Sequence, residues 1–276
     1  MKPNFSLLLF CGVILCSQPG VAAFEPFACG SRSSAMGQSL VALRGNGWSA
    51  FENPAVLQTV VTRTLSVHYV PQPFELKELA RVAASYVEPT AWGSLALSAS
   101  QFGFELYKET RVVLSYGDDI LPSISAGVNL NYYSLSIRNY GSASTFGVDV
   151  GLLVDVSERV QWGFATFNLN APAIGAAKEK LPQVFSTGVA FHPIDDATLT
   201  AGIVKDVRYT GELRFGVEYV LLEMVAVRAG TTNEPNTLNA GIGIGYAFIQ
   251  LDYAFSSHNE LGVTHQFSLS LSLGDL

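Results

Sequence analysis

Strict two-residue alternation runs through most of this chain, and nothing in it restricts the fold more. In the last such stretch, Phe267, Leu269, Leu271 and Leu273 alternate with Gln266, Ser268, Ser270 and Ser272. A period of two puts every apolar side chain on one face of a strand and every small polar one on the other. The same pattern returns at Ile124, Ala126, Val128, Leu130 and Tyr132 against Ser123, Ser125, Gly127, Asn129 and Asn131. Phe146 to Val154, Leu213 to Tyr219 and Ala240 to Tyr246 repeat it. The fold question reduces to which face is wet.

The polar face is rich in Gly, Ser and Asn and poor in Lys, unlike the solvent face of a soluble sheet. Charged residues make up only 14% of the chain, against roughly 25% in soluble domains. Mean hydropathy is +0.28. A surface covered by hydrocarbon accounts for that deficit. No window after the N-terminus reaches the ~18 apolar residues of a spanning helix; Tyr219 to Val227 comes nearest and is broken by Glu223. The remaining structure that satisfies its backbone in lipid is a closed β-barrel. The expectation is therefore an all-β, transmembrane antiparallel barrel over residues 61–276, with outer-membrane lipid as its partner on the outside.

Fourteen strand-like segments start near Thr62, Leu79, Gly93, Leu106, Ser123, Thr145, Val160, Val184, Thr198, Leu213, Val225, Leu238, Ile249 and Thr264. Each is expected to have the ~9–11 residues of a tilted spanning strand. Long connections (Pro71 to Lys77, Asn170 to Pro182) alternate with tight turns at Glu88-Pro89-Thr90, Val156-Ser157-Glu158, Pro193 to Asp196, Leu222-Glu223-Met224 and Ala247-Phe248. Outer-membrane barrels alternate in this way. Tyr69, Trp92, Tyr116, Tyr140, Trp162 and Tyr253 are candidates for interfacial girdles.

Residues 1–23 read as a cleaved secretory signal: Lys2, an apolar run from Phe5 to Cys16, a Pro19-Gly20 break, and the small residues Val21-Ala22-Ala23. The mature chain is then expected to start near Phe24 and to be exported to the outer membrane of a Gram-negative-type bacterium. Cys29 is left alone, so no internal disulfide is expected. Residues 24–60 do not alternate. They carry Gly30, Gly37, Gly45 and Gly47, and Met36, Trp48, Phe51 and Leu57, which call for burial. They are expected to form an N-terminal hatch or plug in the lumen.

The stretch Gly30-Ser31-Arg32-Ser33-Ser34-Ala35-Met36-Gly37, through Leu40-Val41-Ala42-Leu43 to Asn53-Pro54-Ala55, resembles the N-terminal region of the PorV/PorQ group, which is similar to FadL-type long-chain fatty-acid transporters. Leu251-Asp252-Tyr253-Ala254-Phe255, Glu260-Leu261-Gly262, Thr264-His265 and Phe267-Ser268-Leu269-Ser270 resemble that group's last hairpin. The resemblance implies about fourteen strands and a hatch. It also implies either a hydrophobic small-molecule substrate passing the hatch and a kinked wall, or secretion-system proteins as partners. Asn53, Pro54 and Ala55 would be the hatch turn that meets the lumen, or simply a turn set by Pro54. The outer loops here are short for either role.

On the proposed register, Asp149, Arg214, Glu218, Arg228 and Asp252 face the lumen. Such charges persist in a wall when paired or hydrated. They either hold the hatch and line a water path or brace the barrel as a fixed ion-pair network. His68, His192, His258 and His265 are scattered without ligand spacing, so no metal and no cofactor is expected. Asp118-Asp119 and Asp195-Asp196 read as turn formers. No Gly-x-Ser-x-Gly elbow is present, so the chain is not read as an enzyme. A net charge of −7 without a basic cluster argues against nucleic acid. The leading function is a passive outer-membrane channel for small hydrophobic molecules; the alternatives are a non-transporting secretion or surface-attachment component and, behind it, a barrel enzyme.

Overall fold

A computed structural model describes residues 23–45 and 47–274; the signal-peptide reading falls almost wholly on residues outside them. Sixteen strands follow one another among the described residues. They begin with β1 (Arg63–Val70), β2 (Arg81–Thr90), β3 (Gly93–Phe104), β4 (Tyr107–Leu121), β5 (Ile124–Ile137), β6 (Gly141–Ser157) and β7 (Val160–Phe167). A two-residue pair, β8 (Ala173–Ile174) and β9 (Glu179–Lys180), lies in the connection that follows. Then come β10 (Val184–Ile194), β11 (Ala197–Asp206), β12 (Glu212–Leu221), β13 (Val225–Asn233), β14 (Asn236–Tyr246), β15 (Ile249–His258) and β16 (Gly262–Leu273).

Apart from β8 and β9, fourteen strands make one antiparallel sheet that closes where β1 pairs with β16. At that seam Leu65 faces Leu271, Val67 faces Leu269 and Tyr69 faces Phe267. The alternation points as the composition requires. Phe267 and Leu269 are 48% and 37% exposed, whereas Gln266 and Ser268 between and beside them are 8% and 5% exposed. Ser85, Ser98, Asn129, Asn131 and Asp149 are likewise buried on the inner side. Closure gives every barrel strand a partner on both sides, which satisfies the backbone without water; the part of β6 before Val150 extends beyond the reach of β7.

Strand starts fall within a few residues of the sequence reading, but two features differ. The barrel strands run from eight to seventeen residues rather than a uniform spanning length; β6 is the longest. Glu88-Pro89-Thr90 is not the β2–β3 turn: these residues end β2, with Pro89 opposite Ser94, and Ala91-Trp92 make the reversal. A proline near a strand end forfeits at most one ladder bond, so it need not break the strand.

Every connection at the end where β1 begins is short. At the opposite end, residues 71–80 and 168–183 are long, while Glu234-Pro235 is a tight turn with a cis peptide. Trp92, Tyr116 and Trp162 lie exposed toward the short-turn end, and Tyr69 and Tyr140 toward the long-loop end.

Residues 23–62 precede the barrel and contain α1 (Ser31–Ala35), α2 (Ser49–Glu52) and a 3-10 helix over Pro54–Thr59. Their apolar side chains build the core: Met36, Leu40, Ala42, Leu43, Ala55 and Val56 pack with Leu153 and Ala190 of the wall. A second cluster joins Cys29, Trp48 and Phe51 to Ala83 and Val113. The oily interior thus belongs to the N-terminal segment, and the sheet supplies a polar lining around it.

Candidate functional site

The N-terminal segment meets the wall where side chains are missing from it. Gly117 of β4, Gly127 of β5 and Gly151 of β6 stand side by side in register. A Cβ at Gly127 would lie 2.3 Å from the Pro54 carbonyl carbon, and one at Gly117 would lie 2.5 Å from the Pro54 oxygen. Across the barrel, Gly216 and Gly230 are paired and make the same room for Met36. Because β4–β6 and β12–β13 lie on opposite sides of the ring, the segment bridges the lumen.

Asn53, Pro54 and Ala55 are all buried in the first of these cradles. The Asn53 Nδ2 donates to the Val41 oxygen at 2.7 Å and to the Leu152 oxygen of β6 at 3.0 Å. Its Oδ1 accepts from the Ala55 amide at 3.1 Å. One side chain therefore fastens the turn to itself, to the preceding segment and to the wall.

Three of the inward charges come together, and they recruit a fourth from the segment. Arg228 of β13 donates through Nε to Glu218 of β12 at 2.5 Å and through a terminal nitrogen to Asp252 of β15 at 2.6 Å. Glu218 also receives Arg32 of α1 through two nitrogens, at 2.9 and 2.5 Å. The line Arg32–Glu218–Arg228–Asp252 alternates in sign from segment to wall. Arg32 presents a two-nitrogen fork to Glu218, the strongest kind of charge-assisted bond, whereas Arg228 divides its nitrogens between Glu218 and Asp252. Ser34 donates to Gln266 at 2.6 Å and the Ser31 amide donates to Ser268 at 2.7 Å beside it.

The other two inward charges stand apart. Asp149 of β6 accepts from Arg111 of β4 at 3.0 Å, from Asn129 at 3.1 Å and from the Asn168 amide at 2.8 Å. Asn129 also donates to the Ala50 oxygen in α2 at 2.8 Å, tying this node to the segment. Arg214 of β12 donates to Glu212 at 2.8 Å and to the Gln38 oxygen at 3.2 Å. Sequence reasoning missed Arg32 and Arg111. Arg32 lies outside any strand and 186 positions from Glu218, and Arg111 sits in a β4 stretch of weak alternation.

His68 Nδ1 lies 3.0 Å from the Ser268 hydroxyl, a buried Ser–His pair. Its Nε2 has no partner, and the ring packs edge-on against Trp48. Without a carboxylate behind the imidazole, the nucleophile–base–orienter arrangement is incomplete. The described residues contain no group of three or more metal-capable side chains.

Above the segment, toward the long-loop end, lies a cavity of about 870 Å³. Leu40, Val41 and Phe51 form its floor. Val70, Phe74, Phe167 and Val184 supply apolar wall, and Arg208, Arg214 and Glu234 polar wall. Arg208, in the connection after β11, is held above the ordinary arginine range first by its hydrogen bond to Asp206 and further by Glu25. A smaller aromatic recess adjoins this cavity, lined by Phe24, Phe27, Phe51, Phe102, Tyr133 and Phe167.

No family model matches the sequence, and no curated protein does. Among solved structures, the chain is similar to the CymD monoaromatic hydrocarbon channel (13% identity, 92% of this chain and 100% of that one, TM-score 0.71). It is similar to the P. putida toluene transporter TodX (11% identity, 91% and 100%, TM-score 0.71). A Pseudomonas aeruginosa FadL homologue also aligns (12% identity, 87% and 97%, TM-score 0.63). The fold is accordingly the closed fourteen-stranded antiparallel barrel of FadL-type outer-membrane channels.

Proposed function

We propose that this chain is an outer-membrane channel through which small hydrophobic molecules pass without an energy source, entering at the long-loop end and moving past residues 24–60 as a hatch. The observation that carries the reading is the partly apolar cavity of about 870 Å³ floored by the N-terminal segment. Sites for small ligands have this size, and the apolar side chains Leu40, Val41, Phe51, Phe74, Phe167 and Val184 offer an oily surface within a lining that is otherwise largely polar and charged. The barrel fold shared with channels described as carrying monoaromatic hydrocarbons and toluene supports the same substrate class. Asn53, Pro54 and Ala55 act as the hatch turn, and the Arg32–Glu218–Arg228–Asp252 line as its latch. A signal peptide over residues 1–23 delivers the chain to the outer membrane.

The test is flux. Purified protein in liposomes with a lipopolysaccharide outer leaflet, which apolar solutes cross slowly, receives labelled toluene and, as the polar control, labelled glucose on the outside. Toluene uptake well above protein-free liposomes, with glucose unchanged, agrees with the proposal. Equal toluene uptake with and without protein refutes it.

A PorV-like role in protein secretion or surface attachment is the second reading, in keeping with the sequence resemblance at both ends of the chain. The bridged lumen favours it, since a barrel that grips a protein partner needs no open path. It predicts no flux, and loss of a surface-attached protein when the chain is deleted.

A further inference from the structure

Glu109 of β4 is a buried carboxylate without a charged partner: none of the ion pairs among the described residues includes it. It accepts from two neutral donors, the Tyr107 hydroxyl at 2.6 Å and the backbone nitrogen of Phe24 at 2.9 Å. Arg81 of β2, separated from Glu109 by β3, is instead spread over the rings of Phe27 and Phe102, at 4.7 and 5.2 Å. A carboxylate in such a place is unfavourable unless a cation joins it. Phe24 has its own anomaly. Its φ is +62°, a left-handed conformation that a bulky side chain adopts only under strain. Its ring is nevertheless firmly seated, edge-on to Tyr133 at 4.9 Å and against the cluster of Tyr133, Ile174 and Leu181.

We infer that Phe24 is the first residue of the mature chain and that its α-ammonium is the missing partner of Glu109. Hydrolysis of the Ala23–Phe24 bond consumes one water, leaves a carboxylate on Ala23 and puts an ammonium where the amide now stands. Both anomalies then disappear. The new cation already lies at ion-pair distance from Glu109, and without a preceding carbonyl carbon Phe24 no longer has a constrained φ. Cleavage thereby locks the start of the segment under the 168–183 connection, which covers the upper part of β6 that β7 is too short to pair. The processed chain can complete this contact and the precursor cannot. The inference rests on the signal-peptide reading of residues 1–23.

The experiment uses the processed protein extracted from membranes, with an amine-selective acetylating reagent at pH 7 and mass analysis of the N-terminal peptide. The peptide is expected to begin at Phe24. Its amine is expected to acetylate about tenfold more slowly in the wild type than in Glu109→Gln, while lysines react alike in both; tenfold corresponds to one pH unit of extra protonation. A start at another residue overturns the processing reading and this inference with it. A start at Phe24 with equal rates overturns the pairing alone. If Glu109→Gln does not fold, the wild-type rate is measured against pH. Half-reaction above the ordinary α-amino range of ~7.7–8.0 supports the pairing, and a value within or below that range refutes it.

Discussion

Replacing Arg228 with alanine is the most informative perturbation of the Arg32–Glu218–Arg228–Asp252 line. The side chain is buried, and it stands between two buried carboxylates at 2.5 and 2.6 Å. Its removal leaves Glu218 with Arg32 alone. Asp252 keeps only the Gln250 amide, at 2.9 Å. Breaking a buried pair by deleting one partner costs about 3–5 kcal/mol, because the charge left behind is neither solvated nor matched. Part of that cost is recoverable if the segment shifts and admits water, which is the physical route from lost stability to leak. Arg228→Ala is therefore expected to unfold at markedly lower denaturant and to raise single-channel leak conductance in planar bilayers. Arg138→Ala, which removes a largely exposed pair with Glu105, serves as the control and is expected to change neither quantity. Asp252→Asn, added to Arg228→Ala, is expected to recover part of the stability, because it removes the carboxylate left unpaired while Glu218 keeps Arg32. The reasoning is refuted if Arg228→Ala matches Arg138→Ala in both stability and conductance.

Further outcomes follow from the same packing. Gly127→Val would place atoms 2.3 Å from Pro54, so the N-terminal segment must move; proteolysis at residues 24–60 is expected to accelerate, and unchanged protection would contradict the close fit. Asn53→Ala removes three hydrogen bonds at once and strands buried backbone oxygens, at a cost of about 1–3 kcal/mol per unsatisfied group, read as a lower denaturation midpoint. Cys29 is buried and its thiol is pushed far above its ordinary range first by that burial. It stays protonated at neutral and mildly alkaline pH and is expected to resist maleimide until the protein is unfolded.

How much of this the sequence carried depends on the range of the forces involved. The outward stripe of Leu65, Val67 and Tyr69 and the polar face of Ser66 and His68 are local consequences of a period-two pattern in a chain short of charge. The inward glycines were also legible as a class, since a lining with few side chains implies something packed against it. That Gly117, Gly127 and Gly151 form one row under Pro54 was not legible, because it depends on the registers of three strands. Glu218, Arg228 and Asp252 could be placed inward one by one. Their union with Arg32 could not, as it depends on how a non-repeating segment folds inside the closed ring. Pro89 misled in the other direction: proline marks turns on average, yet near the end of β2 its missing donor costs little.

The central claim is that the apolar stripe faces lipid and the polar stripe faces the lumen. Single cysteines at Phe267 and Ser268, in a Cys29→Ser background, carry a fluorescent label in liposomes of brominated lipid. The account predicts strong quenching at position 267 and little at position 268, where the native serine bonds Ser31 and His68 inside the barrel. Strong quenching at 268 with none at 267 would contradict it.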